Sequence, residues 1–140
     1  MIDKLFRATL DHPKGVLVAA LLLCVACALC IPLVKINYDT ANCIFYGDVD
    51  PDRDIDTCME NVTYLHLKDK AGARNAWDFP ALGQGYVNFD AIFQKLRQAG
   101  NNAPFSVEIE FTQEGPKDLA QVNEAVRQSA EYLKSHGFSL

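Results

Sequence analysis

The chain has 140 residues, 22% of them charged, and a formal net charge of −5. That length suits one ordinary domain and excludes a complete (β/α)8 barrel, which takes roughly 200 residues or more. Residues 1–34 carry three cations against two anions, net +1, which leaves −6 for the remainder; an acidic main segment excludes nucleic acid as a partner, because phosphates need a basic surface.

Gly15 to Val34 is a run of twenty residues without a charge. As a helix rising 1.5 Å per residue it would span about 30 Å, the hydrocarbon thickness of a bilayer. The expectation is a single-pass membrane protein with the membrane as a partner through residues 15–34. Lys4, Arg7 and Lys14 precede the run and favour an inside N-terminus. Its length, and Pro32-Leu33-Val34 in place of a small-x-small site, argue against a cleaved signal peptide. Cys24, Cys27 and Cys30 lie within it without a His or acidic neighbour, so they read as small apolar residues. With Cys43 and Cys58 the cysteine count is odd, which fits a reducing compartment better than a disulfide framework.

From Lys35 the pattern alternates between strands and helices. Residues 36–39 read as a short strand. Asp48, Asp50, Asp52, Asp54 and Asp56 pass through a loop into a short helix ending near Glu60. This series lacks the EF-hand glycine and has Met59 where the closing Glu belongs, so it reads as a solvated loop and helix start. A strand follows over 62–68, then a long loop over 70–87. Gly83-x-Gly85 in that loop lacks the third glycine of a dinucleotide fingerprint and reads as a turn. Residues 89–99 form a helix capped by Asn88 and stopped by Gly100. Residues 105–111 alternate strictly and predict a strand. The last helix covers 117–136, with Leu119, Val122, Val126 and Leu133 inward. Strand and helix in alternation predict an α/β fold with a parallel sheet.

Asp39, His66 and Glu108 stand at or near the C-terminal ends of the three strands, where parallel α/β folds build their sites. Asn37 and Asp39 share a strand face. One imidazole and two carboxylates suit Mn²⁺, Co²⁺, Mg²⁺ or Zn²⁺. By spacing alone, an Asp capping the next helix and a His on a strand rim are the competing readings. Lys68, Lys70 and Arg74 could meet a substrate phosphate or simply be solvated.

Four segments carry a family resemblance: Asn37-Tyr38-Asp39-Thr40-Ala41-Asn42, Tyr64-Leu65-His66-Leu67-Lys68-Asp69-Lys70, Leu82-Gly83-Gln84-Gly85-Tyr86-Val87-Asn88-Phe89 and Phe105-Ser106-Val107-Glu108. In order and spacing they resemble successive motifs of the sugar phosphate isomerase/epimerase family, which has a xylose isomerase-like TIM barrel. The resemblance covers residues 35–140. It implies that Asp39, His66 and Glu108 bind a divalent metal, that Glu108 is also an acid/base, and that Asn42 and Lys68 contact a sugar or sugar phosphate. Many members carry a His where Asn42 stands. The family's further Glu, on an earlier strand, has no counterpart in residues 1–34, which contain no Glu.

Residues 1–34 in turn resemble the first transmembrane helix of an RND/MMPL-type exporter, through Leu5-Phe6-Arg7, His12-Pro13-Lys14-Gly15 and Ile31-Pro32-Leu33-Val34. The expected architecture is therefore an incomplete barrel of three C-terminal βα units over 35–140, preceded by a single transmembrane-type helix over 1–34. The isomerase domain of the parent family is cytoplasmic. The expected function is metal-assisted proton transfer next to a carbonyl, truncated and weakly active or inactive alone, with a homo-oligomer as a possible assembly. The alternatives are a non-enzymatic, membrane-anchored α/β fragment, or a fusion or assembly artefact.

Overall fold

A computed structural model describes residues 13–30 and 34–139. The chain divides into two units, Met1–Val34 and Lys35–Leu140. In the first, helix α1 spans Pro13–Cys30. Among the described residues, no helix is long and apolar enough to cross a membrane. The expected span, 15–34, overlaps α1 only from Gly15 to Cys30, 16 residues. The single-pass membrane placement is overturned. Residues 31–33 lie outside the described residues.

The second unit is mixed α/β. Its elements are β1 (Ile36–Asp39), α2 (Asn42–Gly47), α3 (Pro51–Asp54), β2 (Val62–Leu67), β3 (Asp78–Phe79), α4 (Phe89–Ala99), β4 (Phe105–Val107), β5 (Phe111–Thr112) and α5 (Leu119–Ser135). The main sheet has the order β1-β2-β4 and both pairings are parallel. Toward its end β2 alternates: Leu65 and Leu67 are buried, while Tyr64 before them and His66 between them are partly open. The buried face packs with Phe89, Ile92 and Phe93 of α4 and with Leu133 of α5 in one core cluster. Each fully buried side chain of this size contributes about 1.5–3 kcal/mol. The opposite face carries Asn37, Asp39, Tyr64 and His66 and is free to build a site.

Local chemistry sets the element ends. Asn88 accepts a hydrogen bond from the Ala91 N–H and caps α4, and Gly100 ends it at φ 64°. In the left-handed region a Cβ is costly, so glycine suits that stop. Thr40 extends the β1–β2 join beyond the strands. Its hydroxyl donates to the Lys68 carbonyl at 2.7 Å and accepts from the Lys68 N–H at 3.0 Å.

Two expectations are corrected. The strand expected over 105–111 breaks after Val107. Glu108 N–H still donates to the Leu67 carbonyl, but Glu110 N–H donates to Phe79, Phe111 takes φ 62°, and β5 pairs antiparallel with β3. Alternation in sequence survives this bend because each residue still flips its side chain. The expected inward face of the last helix is also shifted. Leu119 and Val126 are 72% and 56% exposed, while Ala125, Ser129 and Leu133 are buried. The Asp48–Asp56 series is the expected solvated loop and helix start, with Asp48, Asp50 and Asp56 exposed and Pro51–Asp54 helical. Asp48 and Asp50 both bind Arg74, Asp54 accepts from the Tyr38 hydroxyl at 3.0 Å, and Asp56 pairs with Lys95.

The loop after β2 is organised by one buried carboxylate. Asp69 Oδ1 accepts from the N–H groups of Lys70 and Val87, and Oδ2 from those of Gly83 and Gly85. The residue is 1% exposed. A Cβ at Gly85 would lie 2.3 Å from Asp69 Oδ1 and from the Lys70 carbonyl, and one at Gly83 would meet the Tyr132 ring at 2.4 Å. Ser129 completes the docking by accepting from the Leu82 N–H at 3.0 Å. Gly83-x-Gly85 is thus a turn wrapped around Asp69. Asp69→Ala strands several buried N–H donors at once, each worth about 1–3 kcal/mol. We expect it to lower the unfolding free energy by about 3 kcal/mol in urea titrations, against about 1 kcal/mol for Ser129→Ala. A cost for Asp69→Ala no larger than that of Ser129→Ala would show that the loop is held elsewhere.

Candidate metal centre

The parallel register sets Asp39 beside His66 and His66 beside Ser106. Glu108 follows one residue beyond β4. The three side chains thus come from adjacent strand ends on the face opposite the core. His66 Nδ1 lies 2.7 Å from Glu108 Oε2 and 4.0 Å from Asp39 Oδ2. One ligand atom from each of the three residues falls within 4.8 Å of the others. Atoms bound to one divalent ion at about 2.0–2.2 Å sit roughly 3–4 Å apart, so these residues fit such an ion with small adjustments. The His66 and Glu108 side chains are 33% and 31% exposed, which leaves the cluster reachable from solvent.

Each ligand has its own support. Asp39 Oδ1 accepts from the Ala41 and Asn42 N–H groups at 3.0 and 2.9 Å, which closes the turn into α2. Its Oδ2 accepts from the Asn42 amide at 2.7 Å. Burial pushes the Asp39 carboxyl above the usual range, against the Asn42 N–H and the Lys68 charge, which pull it down. Glu108 Oε1 is held by the Lys68 ammonium at 3.1 Å, which leaves Oε2 turned toward His66. Burial acts to raise Glu108 as well, but hydrogen bonding to Glu110 and to Lys68 outweighs it, and the carboxyl lies below its ordinary value. Lys68 is 2% exposed. Its Nζ also lies 2.8 Å from Glu110 Oε2 and 4.2 Å from the centre of the Phe79 ring. Burial acts to lower Lys68, but Glu110 and Glu108 outweigh it and hold the ammonium above its usual value.

All five residues singled out from sequence therefore come together: Asp39, His66 and Glu108 as a cluster, Asn42 on Asp39, and Lys68 on Glu108. The other two basic residues that could meet a phosphate do not join them. Lys70 donates to the Ala71 and Ala73 carbonyls, and Arg74 is taken up by Asp48 and Asp50. Three participants were missed in sequence: Glu110, which shares Lys68; Asp69, which anchors the adjoining loop; and Asn37, whose amide Nδ2 lies 3.2 Å from His66 Nε2. For Asn37 a signal existed, since strand alternation places it on the face of Asp39.

A family model described as a xylose isomerase-like TIM barrel matches residues 29–136, more than three quarters of the chain. No curated protein matches the chain significantly. The resemblance of residues 1–34 to an exporter helix finds no support in the comparisons.

The Lys68–Glu108 attraction has a pH signature. A carboxyl whose folded pKa is depressed contributes stability above its unfolded value, about 4.3 for Glu, and loses that contribution as pH falls through the folded one. In chelator-treated protein, Glu108→Gln should therefore cost stability in urea unfolding at pH 7 and cost less at pH 3. An equal cost at both pH values would contradict this ion pair.

Proposed function

This chain belongs to the xylose isomerase-like TIM barrel family, and on that premise we propose that residues 35–140 form a sugar isomerase/epimerase-type domain in which Asp39, His66 and Glu108 hold a divalent metal. The observation that carries the reading is the convergence of one imidazole nitrogen and two carboxylate oxygens within 4.8 Å. They come from three neighbouring strand ends, the place where barrel enzymes build their sites. The substrate is a sugar or sugar phosphate. When bound, Mn²⁺, Co²⁺, Mg²⁺ or Zn²⁺ supplies Lewis acidity to a carbonyl and its neighbouring hydroxyl.

The chain's own residues do the rest. Glu108 moves a proton at the carbon beside the carbonyl. Its depressed pKa, with the Lys68 ammonium bound to it, keeps it ionised near neutral pH, the form that accepts a proton and binds a cation. Lys68 serves the substrate through Glu108, because its ammonium is already committed to two carboxylates. Asn42 steadies Asp39 and offers its remaining amide oxygen to a sugar hydroxyl. A second acid/base carboxylate of the kind the family resemblance implies has no counterpart in residues 1–34. We therefore expect loose metal binding and slow turnover from these 140 residues alone.

Titration with Co²⁺, followed by its visible absorption, should show binding that His66→Ala weakens by more than the roughly 10–100-fold typical of an outer partner. Solvent deuterium should enter the carbon beside the carbonyl of a responsive ketose only slowly, and Glu108→Gln should reduce that exchange about 10²-fold or more. Exchange that survives Glu108→Gln unchanged would remove Glu108 from the chemistry.

A further inference from the structure

His66 presents two ring nitrogens to two different partners. Nδ1 faces the carboxylates, 2.7 Å from Glu108 Oε2 and 4.0 Å from Asp39 Oδ2. Nε2 faces the Asn37 amide at 3.2 Å. Asn37 and His66 are on adjacent parallel strands, with Asn37 opposite Tyr64 and Asp39 opposite His66. The contact is thus a diagonal one across the β1–β2 pair, on the same face as the candidate ligands. The Tyr64 ring stands edge-on to the imidazole, 5.8 Å between centres.

A neutral imidazole carries one proton. The Asn37 Nδ2–H₂ faces Nε2, an arrangement that suits a ring whose proton is on Nδ1 toward Glu108. A metal held by Asp39 and Glu108 needs the Nδ1 lone pair instead, so the ring proton must then be on Nε2. The group beside Nε2 must in that state be an acceptor. An amide meets both demands, because turning it over exchanges its N–H₂ for its oxygen. Asn37 is exposed, so that rotation meets no packed neighbour.

Resting on the metal reading above, we infer that Asn37 is the positioning residue of the centre: its amide turns to accept the His66 Nε2–H and so fixes the tautomer that offers Nδ1 to the metal. The proton balance closes without a co-reactant. Nδ1 releases its proton to water, Nε2 takes one from water, and the neutral ring carries one proton before and after. Side chains in this role, bonded to the far nitrogen of a ligating His, typically change metal affinity by about 10–100-fold. For a partner as open as Asn37 the lower end, about 10-fold, is the expected size.

The test uses the full chain labelled with ¹⁵N-histidine, with Zn²⁺ as the probe. Long-range ¹H–¹⁵N spectra of the Zn²⁺-loaded protein should place the His66 proton on Nε2 and the metal on Nδ1. Asn37→Ala should weaken Zn²⁺ about 10-fold and speed exchange of the Nε2–H with water, while the metal-free unfolding midpoint stays put. Asn37→Asp keeps an acceptor and should restore both the affinity and the slow exchange. Zn²⁺ binding that His66→Ala abolishes but Asn37→Ala leaves intact overturns the role of Asn37 alone. Binding through Nε2, or an Asn37→Asp variant no better than Asn37→Ala, also overturns it. A wild type that binds Zn²⁺ no better than His66→Ala overturns the metal reading and this inference with it.

Discussion

A lysine ammonium that is 2% exposed at the end of a strand must meet negative charge. Lys68 meets it twice, at Glu108 and Glu110, and much of the second unit follows from that. After Val107 the chain leaves the sheet, and β5 finds its partner in β3 instead. The Phe79 ring beneath the ammonium belongs to that β3–β5 pair. The same ion pair occupies Glu108 Oε1 and turns Oε2 to His66. One ion pair thus aims a candidate ligand.

A second constraint is the concentration of negative charge opposite the core. Asp39 and Glu108 converge on the same imidazole nitrogen, and the Glu108 charge is one of the causes that raise Asp39. Carboxylates this close repel unless a cation lies between them or beside them. Lys68 answers part of the demand, from the Glu108 side. A divalent ion at the Asp39–His66–Glu108 cluster would answer the rest. Asp69 shows the contrasting solution: a buried carboxylate satisfied by four backbone N–H groups, complete in itself and without a place for an ion.

The family match and the site argue along different lines and meet at the same residues. The match spans residues 29–136 and speaks for fold and broad chemistry. The cluster stands on register, distance and charge. Fold membership alone does not assign a reaction; the imidazole and carboxylates at the strand ends supply the chemical content, and the sugar itself is outside both.

The sequence by itself determined the elements that depend on neighbours in the chain. Asn88, the apolar stripe of α4 and Gly100 are a complete local instruction, so that helix has the bounds read from sequence. The strands read over 36–39, 62–68 and 105–111 likewise placed Asp39, His66 and Glu108 at or near three strand ends. What depended on distant partners could not be read. A charge-free run of twenty residues did not become a membrane-spanning helix among the described residues. Strict alternation through 105–111 hid the break after Val107, where the Glu110 N–H turns to the Phe79 carbonyl and β5 to β3. Helix α5 turned Ser129 inward and left Val126 outside because the loop around Asp69 offered a backbone N–H to satisfy. Periodicity records which residues can share a face; which face is covered, and by whom, is decided only when the polar groups of distant segments find their partners.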